Sequence, residues 1–221
     1  MEYKAILFDL DGTLINSLED LADSANEAIR KHGFKTHPTD SYKKFVGNGV
    51  RNLIKNAAPD GTDDSVVDKI LEDYRIIYNK NYVNKTRAYD GINEMLDNLK
   101  KAGIKMGVCS NKPHKSTNEI VEKLLGCEYF DVVFGEREGI PRKPDPASLI
   151  EAAERLGVAP SQAIYVGDSG GDMESANRAE MLAAGVLWGF REKEELIACG
   201  GKILLASPSE LVDFITGGHR D

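Results

Sequence analysis

Apolar residues follow two rhythms along this chain, and the switches between them outline its elements. Residues 3–9 form a nearly unbroken apolar run, which predicts a buried strand. After it, Leu18, Leu21, Ala22, Ala25 and Ile29 recur at the spacing that builds one apolar helix face. Ser17 with Asp20 has the form of a capping box, and Gly33 is a natural stop. Up to about residue 84 the pattern stays helical, with Val50, Leu53, Ile54 and Ala57 marking one segment and Val67, Ile70, Tyr74 and Ile77 another.

From residue 91 the two rhythms alternate. Helix 91–102, stopped by Gly103, leads to strand 104–109, helix 115–125, strand 131–134, helix 146–156 and strand 163–167. Weaker strands follow near 182–187 and 202–205, and Ser207, Pro208 and Glu210 open a last helix. Strands alternating with helices predict a parallel sheet covered on both faces and joined by right-handed crossovers. The expected fold is an α/β, Rossmann-like three-layer α/β/α core formed by residues 1–15 and 85–221, with a helical bundle inserted at 16–84. There is no internal repeat, and charged clusters such as Arg191 to Glu195 read as solvated helix faces.

Composition removes several classes of function. The 221 residues suffice for a substantial core, and a net charge of -8 argues against a phosphate-backbone binder. No apolar run has membrane length and no signal-peptide pattern follows Met1, so a cytoplasmic protein without nucleic-acid or membrane partners is expected. Cys109, Cys127 and Cys199 lack any C-x-x-C spacing and are expected as small core residues.

In an open parallel sheet the catalytic crevice lies beyond the carboxyl ends of the strands. Asp9-Leu-Asp11-Gly-Thr follows the first strand, Ser110-Asn111-Lys112 the strand at 104–109, and Asp168-Ser-Gly-Gly-Asp172 the strand at 163–167. The segment after strand 131–134 supplies Arg142-Lys143-Pro144-Asp145-Pro146. These ends gather carboxylates, an ammonium and a hydroxyl around one mouth, where the acids raise each other's pKa unless a cation neutralises them. Oxygen ligands without His or Cys select a hard ion, and a few carboxylates that leave room for water and phosphate describe Mg²⁺. Two carboxylates in different environments can serve as nucleophile and proton carrier. Mg²⁺ and Lys143 would keep the nucleophile ionised and aimed, while Gly12 and Thr13, just after Asp11, would turn the chain sharply enough to separate the two carboxylates.

Taken in order, "DLDGTL", "CSNK", "RKPDP" and "GDSGGD" resemble the four motifs of the haloacid dehalogenase superfamily of aspartate-nucleophile phosphohydrolases. The helical insert, lying between the first and second motifs, looks like that family's C1 cap. The segments "FDLDGTLINSLEDLADSANEAI" and "FVGNGVRNLI" resemble its phosphoglycolate phosphatase branch. The resemblance implies that Asp9 attacks the phosphoryl group, that Asp11 protonates the leaving oxygen and later activates water, and that Ser110 and nearby backbone N–H groups hold phosphate oxygens. It implies that Lys143 steadies Asp9. Mg²⁺ would be held by the Asp9 and Asp168 side chains and the Asp11 carbonyl, with Asp172 orienting a bound water or Lys143. Asn16 and Glu180 depart from the pattern, which commonly has Asp and Gly there.

Each signal has a plainer reading. Asp-Gly alone is a turn, Ser110 and Asn111 suit a cap and a turn, Asp145-Pro146 suits a helix start, and Gly167-Asp168 suits a strand-to-turn exit with Gly170 and Gly171 as permissive backbone. Asn111 is nevertheless expected at the substrate, because it directly follows a buried strand. Gly47, Asn48, Gly49 and Arg51 are expected to approach it from the insert, with hinges near 15–18 and 82–88. His32, His37, His114 and His219 show no ligand spacing, and Trp188 and Phe190 are expected in core packing ahead of the alternative, the lip of the crevice. The expected activity is Mg²⁺-dependent hydrolysis of a small phosphate monoester, 2-phosphoglycolate first, by a monomer or weak homodimer. The alternatives are a sugar-phosphate mutase resembling β-phosphoglucomutase, a pyrophosphatase, and a phospho-acceptor signalling module. Asp11 argues against the last, since an acid/base beside the nucleophile speeds removal of the phosphoryl group that such a module stores.

Overall fold

The computed structural model describes residues 3–47 and 49–217; Asn48 and His219 lie outside the described residues. The chain forms two compact units, Met1–Ile15 with Ala88–Asp221, and Asn16–Arg87. Between them it passes through two short paired strands, β2 (Ile15–Asn16) and β3 (Arg87–Ala88).

The first unit is built on a six-stranded sheet in the order β5-β4-β1-β6-β7-β8, and its registers are parallel throughout. The strands are β1 (Ala5–Phe8), β4 (Lys105–Pro113), β5 (Val132–Glu136), β6 (Ala163–Gly167), β7 (Leu182–Val186) and β8 (Ile203–Leu205). β1 is central, with Ala5 opposite Lys105 of β4 on one side and Ala163 of β6 on the other. All four of its side chains are buried, which explains why it reads as a continuous apolar run and not as an alternation. Ala5 and Leu7 join Tyr165, Phe134 and Cys109 in one core cluster with Leu149, Ala152 and Leu156 of α7 (Ala147–Leu156), Met173 and Ala176 of α8 (Gly170–Arg178) and Leu196 of α9 (Lys193–Ala198). α6 (His114–Leu124) packs on β4 and β5, and α5 (Ile92–Lys101) on α10 (Pro208–Thr216). Each fully buried Leu or Ile in this core contributes about 1.5–3 kcal/mol. The strand order reverses between β1 and β6, which places a crevice over their carboxyl ends.

The second unit is helical: α1 (Leu18–Lys31), α2 (Tyr42–Phe45), α3 (Val50–Ala57) and α4 (Asp64–Asn81). Leu21, Ala25 and Ile29 of α1 are buried, as are Val67, Ile70 and Tyr74 of α4, and the two helices pack together. Tyr42, fully buried, donates its hydroxyl to Asn26 Oδ1 at 2.8 Å. Among the described residues no helix is long and apolar enough to cross a membrane.

Three local expectations need correction. Ser17 makes no side-chain cap bond, and Asp20 turns instead to the returning chain, accepting bonds from Lys85 N–H, Thr86 N–H and the Thr86 hydroxyl at 2.7–2.9 Å through Oδ2. The strand expected to end at 109 continues to Pro113, with a register shift between Cys109 and Pro113 that carries Ser110–Lys112 out of regular pairing. Gly170 and Gly171, read as permissive backbone, open α8, where the Asp172 carboxylate accepts bonds from Ser169 N–H at 3.0 Å and its hydroxyl at 2.6 Å. Two glycines weaken a helix start by about 1 kcal/mol each, a deficit this cap and the burial of Met173 offset.

Candidate active site

Asp9 stands one residue beyond β1, its N–H still bonded to the Val166 carbonyl of β6 at 2.9 Å. The chain then turns sharply: Leu14 and Ile15 N–H both return to the Leu10 carbonyl, at 3.0 and 3.1 Å. Gly12 makes the turn possible, because its φ is +84° and a Cβ there would lie 2.2 Å from Asp168 Oδ2. Asp168 follows β6, and Asp172 lies in the first turn of α8.

The Lys143 ammonium lies among these acids. It is 2.9 Å from Asp9 Oδ1 and 2.6 Å from Asp172 Oδ1, and it donates to the Tyr165 hydroxyl at 2.7 Å and the Cys109 carbonyl at 3.2 Å. The Tyr165 hydroxyl in turn donates to the Cys109 carbonyl at 2.7 Å. Asn111 fixes the lysine's backbone from both ends of its carboxamide: Lys143 N–H donates to Asn111 Oδ1 at 2.9 Å, and Asn111 Nδ2 donates to the Lys143 carbonyl at 3.3 Å. Ala147 N–H donates to Asp145 Oδ1 at 2.9 Å, so the start of α7 is capped just beyond the lysine.

Asp11 has a separate partner. The Lys112 ammonium sits 3.1 Å from each Asp11 oxygen, with only 3% of the lysine side chain exposed. Ser110 accepts a bond from Lys112 N–H through Oγ at 3.3 Å.

Burial sets the electrostatics. It pushes Asp9 up to about 6, against the pull of Lys143 and with a further push from Asp172. Asp168 is raised well above the ordinary carboxylate range, first by burial and then by Asp172 and Asp9. Burial alone would lower Lys143, but Asp172 and Asp9 overcome it and hold the ammonium charged. Burial also pushes the Cys109 thiol up to about 12, leaving it a neutral core side chain.

Ligand oxygens of Asp9, Asp168 and Asp172 lie within 4.8 Å of one another, the one such acidic group among the described residues. The Lys143 ammonium pairs with two of the three acids, Asp9 and Asp172, and the donors are all carboxylate oxygens. That set fits a hard divalent cation, which would remove the excess negative charge. Both Asp172 oxygens already accept protein donors, so this residue acts first on Lys143 and on the α8 cap.

The residues expected from the insert lie in the second unit. Gly47 and Gly49 have φ of 123° and 82° ahead of α3. Arg51 is engaged within that unit, by Asp68 at 2.8 Å and Asp64 at 3.2 Å.

Lys112, Tyr165 and Trp188 were not singled out by sequence for this chemistry. A lysine after a strand ordinarily reads as solvated and a strand tyrosine as core. The one signal available was the position of Lys112 directly after Ser110-Asn111.

The haloacid dehalogenase-like hydrolase family model matches residues 6–186. A phosphoglycolate phosphatase of Aquifex aeolicus is 33% identical, the match covering 96% of each chain. An N-acetylmuramic acid 6-phosphate phosphatase of Pseudomonas aeruginosa is 30% identical over 97% of this chain and 96% of that one. Among solved structures, a candidate phosphoglycolate phosphatase from Lactobacillus delbrueckii subsp. bulgaricus superposes with a TM-score of 0.91 at 30% identity, over 97% of this chain and 99% of that chain. With the same parallel sheet and acids at its carboxyl edge, this chain belongs to the haloacid dehalogenase-like hydrolase family.

Proposed function

We propose that this chain is a Mg²⁺-dependent phosphatase that hydrolyses a small phosphate monoester through an aspartyl phosphate on Asp9. The observation that carries the reading is the division between two neighbouring carboxylates: Asp9 faces Lys143 among the buried acids, whereas Asp11 pairs with Lys112. The two carboxylates thus meet different surroundings: Lys143 and the cation would ionise Asp9 for attack, and Asp11 carries a proton once Lys112 releases it.

In the first step the Asp9 carboxylate attacks phosphorus, the ester P–O bond breaks, and Asp11 gives its proton to the leaving oxygen. In the second, Asp11 takes a proton from water attacking the aspartyl phosphate, and phosphate leaves with Asp9 regenerated. Ser110 and the backbone N–H groups beside it hold phosphoryl oxygens, and Lys143 offsets their charge. The Asp9 and Asp168 side chains and the Asp11 carbonyl would hold Mg²⁺, with Asp172 supporting Lys143. When bound, the ion supplies charge neutralisation between a phosphate dianion and an anionic nucleophile.

The two curated relatives named above act on different esters at similar identity, so identity does not select the substrate. Phosphoglycolate and N-acetylmuramic acid 6-phosphate are both phosphate monoesters that carry a carboxylate, and we assign that class, with 2-phosphoglycolate first. Gly47, Asn48, Gly49 and Arg51 are the positions to vary when the preferred ester is sought.

The test is phosphate release from 2-phosphoglycolate, N-acetylmuramic acid 6-phosphate, a plain sugar phosphate and pyrophosphate, with Mg²⁺ or a chelator. Release should require Mg²⁺, favour the carboxylate-bearing esters, and fall about 10³-fold or more in Asp9→Asn. An Asp9→Asn variant as fast as native protein would refute the mechanism. An isomeric sugar phosphate in place of free phosphate would move the reading to a mutase.

A further inference from the structure

The segment that follows β7 belongs to none of the four motifs, yet two of its residues reach Asp168 and a third reaches the turn after Asp11. Trp188 Nε1–H donates to the Thr13 carbonyl at 2.9 Å, and Phe190 N–H donates to Asp168 Oδ2 at 2.8 Å. Between them Gly189 lies so close that a Cβ would stand 2.3 Å from Asp168 Cβ and 2.6 Å from the Gly12 carbonyl oxygen. The segment is anchored at its start, where Leu187 N–H donates to the Leu205 carbonyl at 2.9 Å. Core packing alone accounts for none of these bonds, and Trp188 is only partly buried.

We propose that Trp188–Gly189–Phe190 is a positioning strap for the cation site, tying the Gly12–Thr13 turn and the Asp168 carboxylate to one backbone segment. Asp168 would otherwise rotate about two side-chain bonds in a pocket that repels its charge. The Phe190 amide holds one oxygen in place, and the Trp188 bond fixes the strap against the turn that carries Asp9 and Asp11. The strap therefore holds the Asp168 carboxylate in place and should contribute to ion affinity without touching the ion, and its indole, bonded to the turn that carries the acids, should feel the ion's charge when it binds. This inference rests on Asp9 and Asp168 as Mg²⁺ ligands and goes beyond it by giving residues outside the motifs a part in aligning them.

Groups that orient metal ligands typically change affinity 10–100-fold, and Trp188 acts through one further link, so an effect of about tenfold is expected. Trp188 is also the single tryptophan of the chain, which makes its emission a direct report on the strap. The experiment measures Mg²⁺ affinity by calorimetry for native protein, Trp188→Phe, Gly189→Ala and Asp168→Asn, with circular dichroism of each and native tryptophan emission across the same titration. Trp188→Phe keeps an aromatic ring and removes the N–H. It should stay folded and bind Mg²⁺ about tenfold more weakly, and the native emission should change with the calorimetric Kd. A purely structural role would lower the melting temperature and leave the Kd alone.

A folded Trp188→Phe or Gly189→Ala variant with native affinity, while Asp168→Asn loses binding, overturns the strap and leaves the metal site standing. Should both strap variants fail to fold, native emission that ignores saturating Mg²⁺ overturns it equally. Native protein that binds no Mg²⁺, or Asp168→Asn that binds as native does, removes the metal assignment and the strap's function with it.

Discussion

Four oxygens surround the Lys143 ammonium, from Asp9, Asp172, Tyr165 and the Cys109 carbonyl, and an ammonium has three hydrogens to share among them. The two carboxylates supply charge, and Tyr165 supplies a neutral acceptor whose own hydroxyl donates to the Cys109 carbonyl. Replacing the lysine leaves two acids buried without their cation. Lys143→Met should therefore lose about 3–5 kcal/mol in urea unfolding without Mg²⁺, and saturating Mg²⁺ should recover part of it. A loss below about 1 kcal/mol, the value of an exposed pair, would show that water already reaches these acids. Lys143 was legible in sequence from its place before Pro-Asp-Pro. Tyr165 and Lys112 were not, since a buried strand tyrosine and a lysine after a strand have common alternatives that only their neighbours exclude.

Local sequence signals placed most elements of both units, and where they failed a distant bond had taken over the residue. Asp20 has the sequence form of a capping partner for Ser17. It serves instead as a clasp, binding the start of α1 to Lys85 and Thr86, 65 and 66 residues on. Asp20→Ala would leave the Lys85 and Thr86 amides without this acceptor, at about 1–3 kcal/mol for each stranded donor. Urea unfolding should show that loss, and a change within about 0.5 kcal/mol would mean that water replaces the carboxylate freely. α8 shows the same limit, because its two opening glycines argue against a helix until Asp172 caps it and Met173 is buried.

At the scale of the molecule, the acids gathered at one sheet edge link stability to pH. Asp9 at about 6, against an ordinary 3.8, means that the folded protein holds that proton more tightly than the unfolded chain does. Its contribution is therefore present in full below the unfolded value and is lost as pH rises toward and past 6. Asp168 is shifted in the same direction. Metal-free protein then carries its uncompensated charge most fully near neutrality, where Mg²⁺ should stabilise it by about 2.7 kcal/mol at a hundred times its Kd. Melting temperature should rise more with Mg²⁺ near pH 7.5 than near pH 5, the lower value being about where Asp9 is still largely protonated. Equal rises would count against a carboxylate site.

By itself the sequence determined the alternation of strands and helices after residue 91, the buried character of β1, and which strand ends carry acids. Apolar spacing records burial along a single element, and the four motifs are each contiguous. Tertiary structure alone decided the order of the six strands and the pairings of Asp11 with Lys112, Lys143 with Tyr165, and Thr13 with Trp188, at separations of 101, 22 and 175 residues. Periodicity cannot report these, because a buried charge or hydroxyl is tolerated only through a partner that the sheet's register brings from elsewhere in the chain.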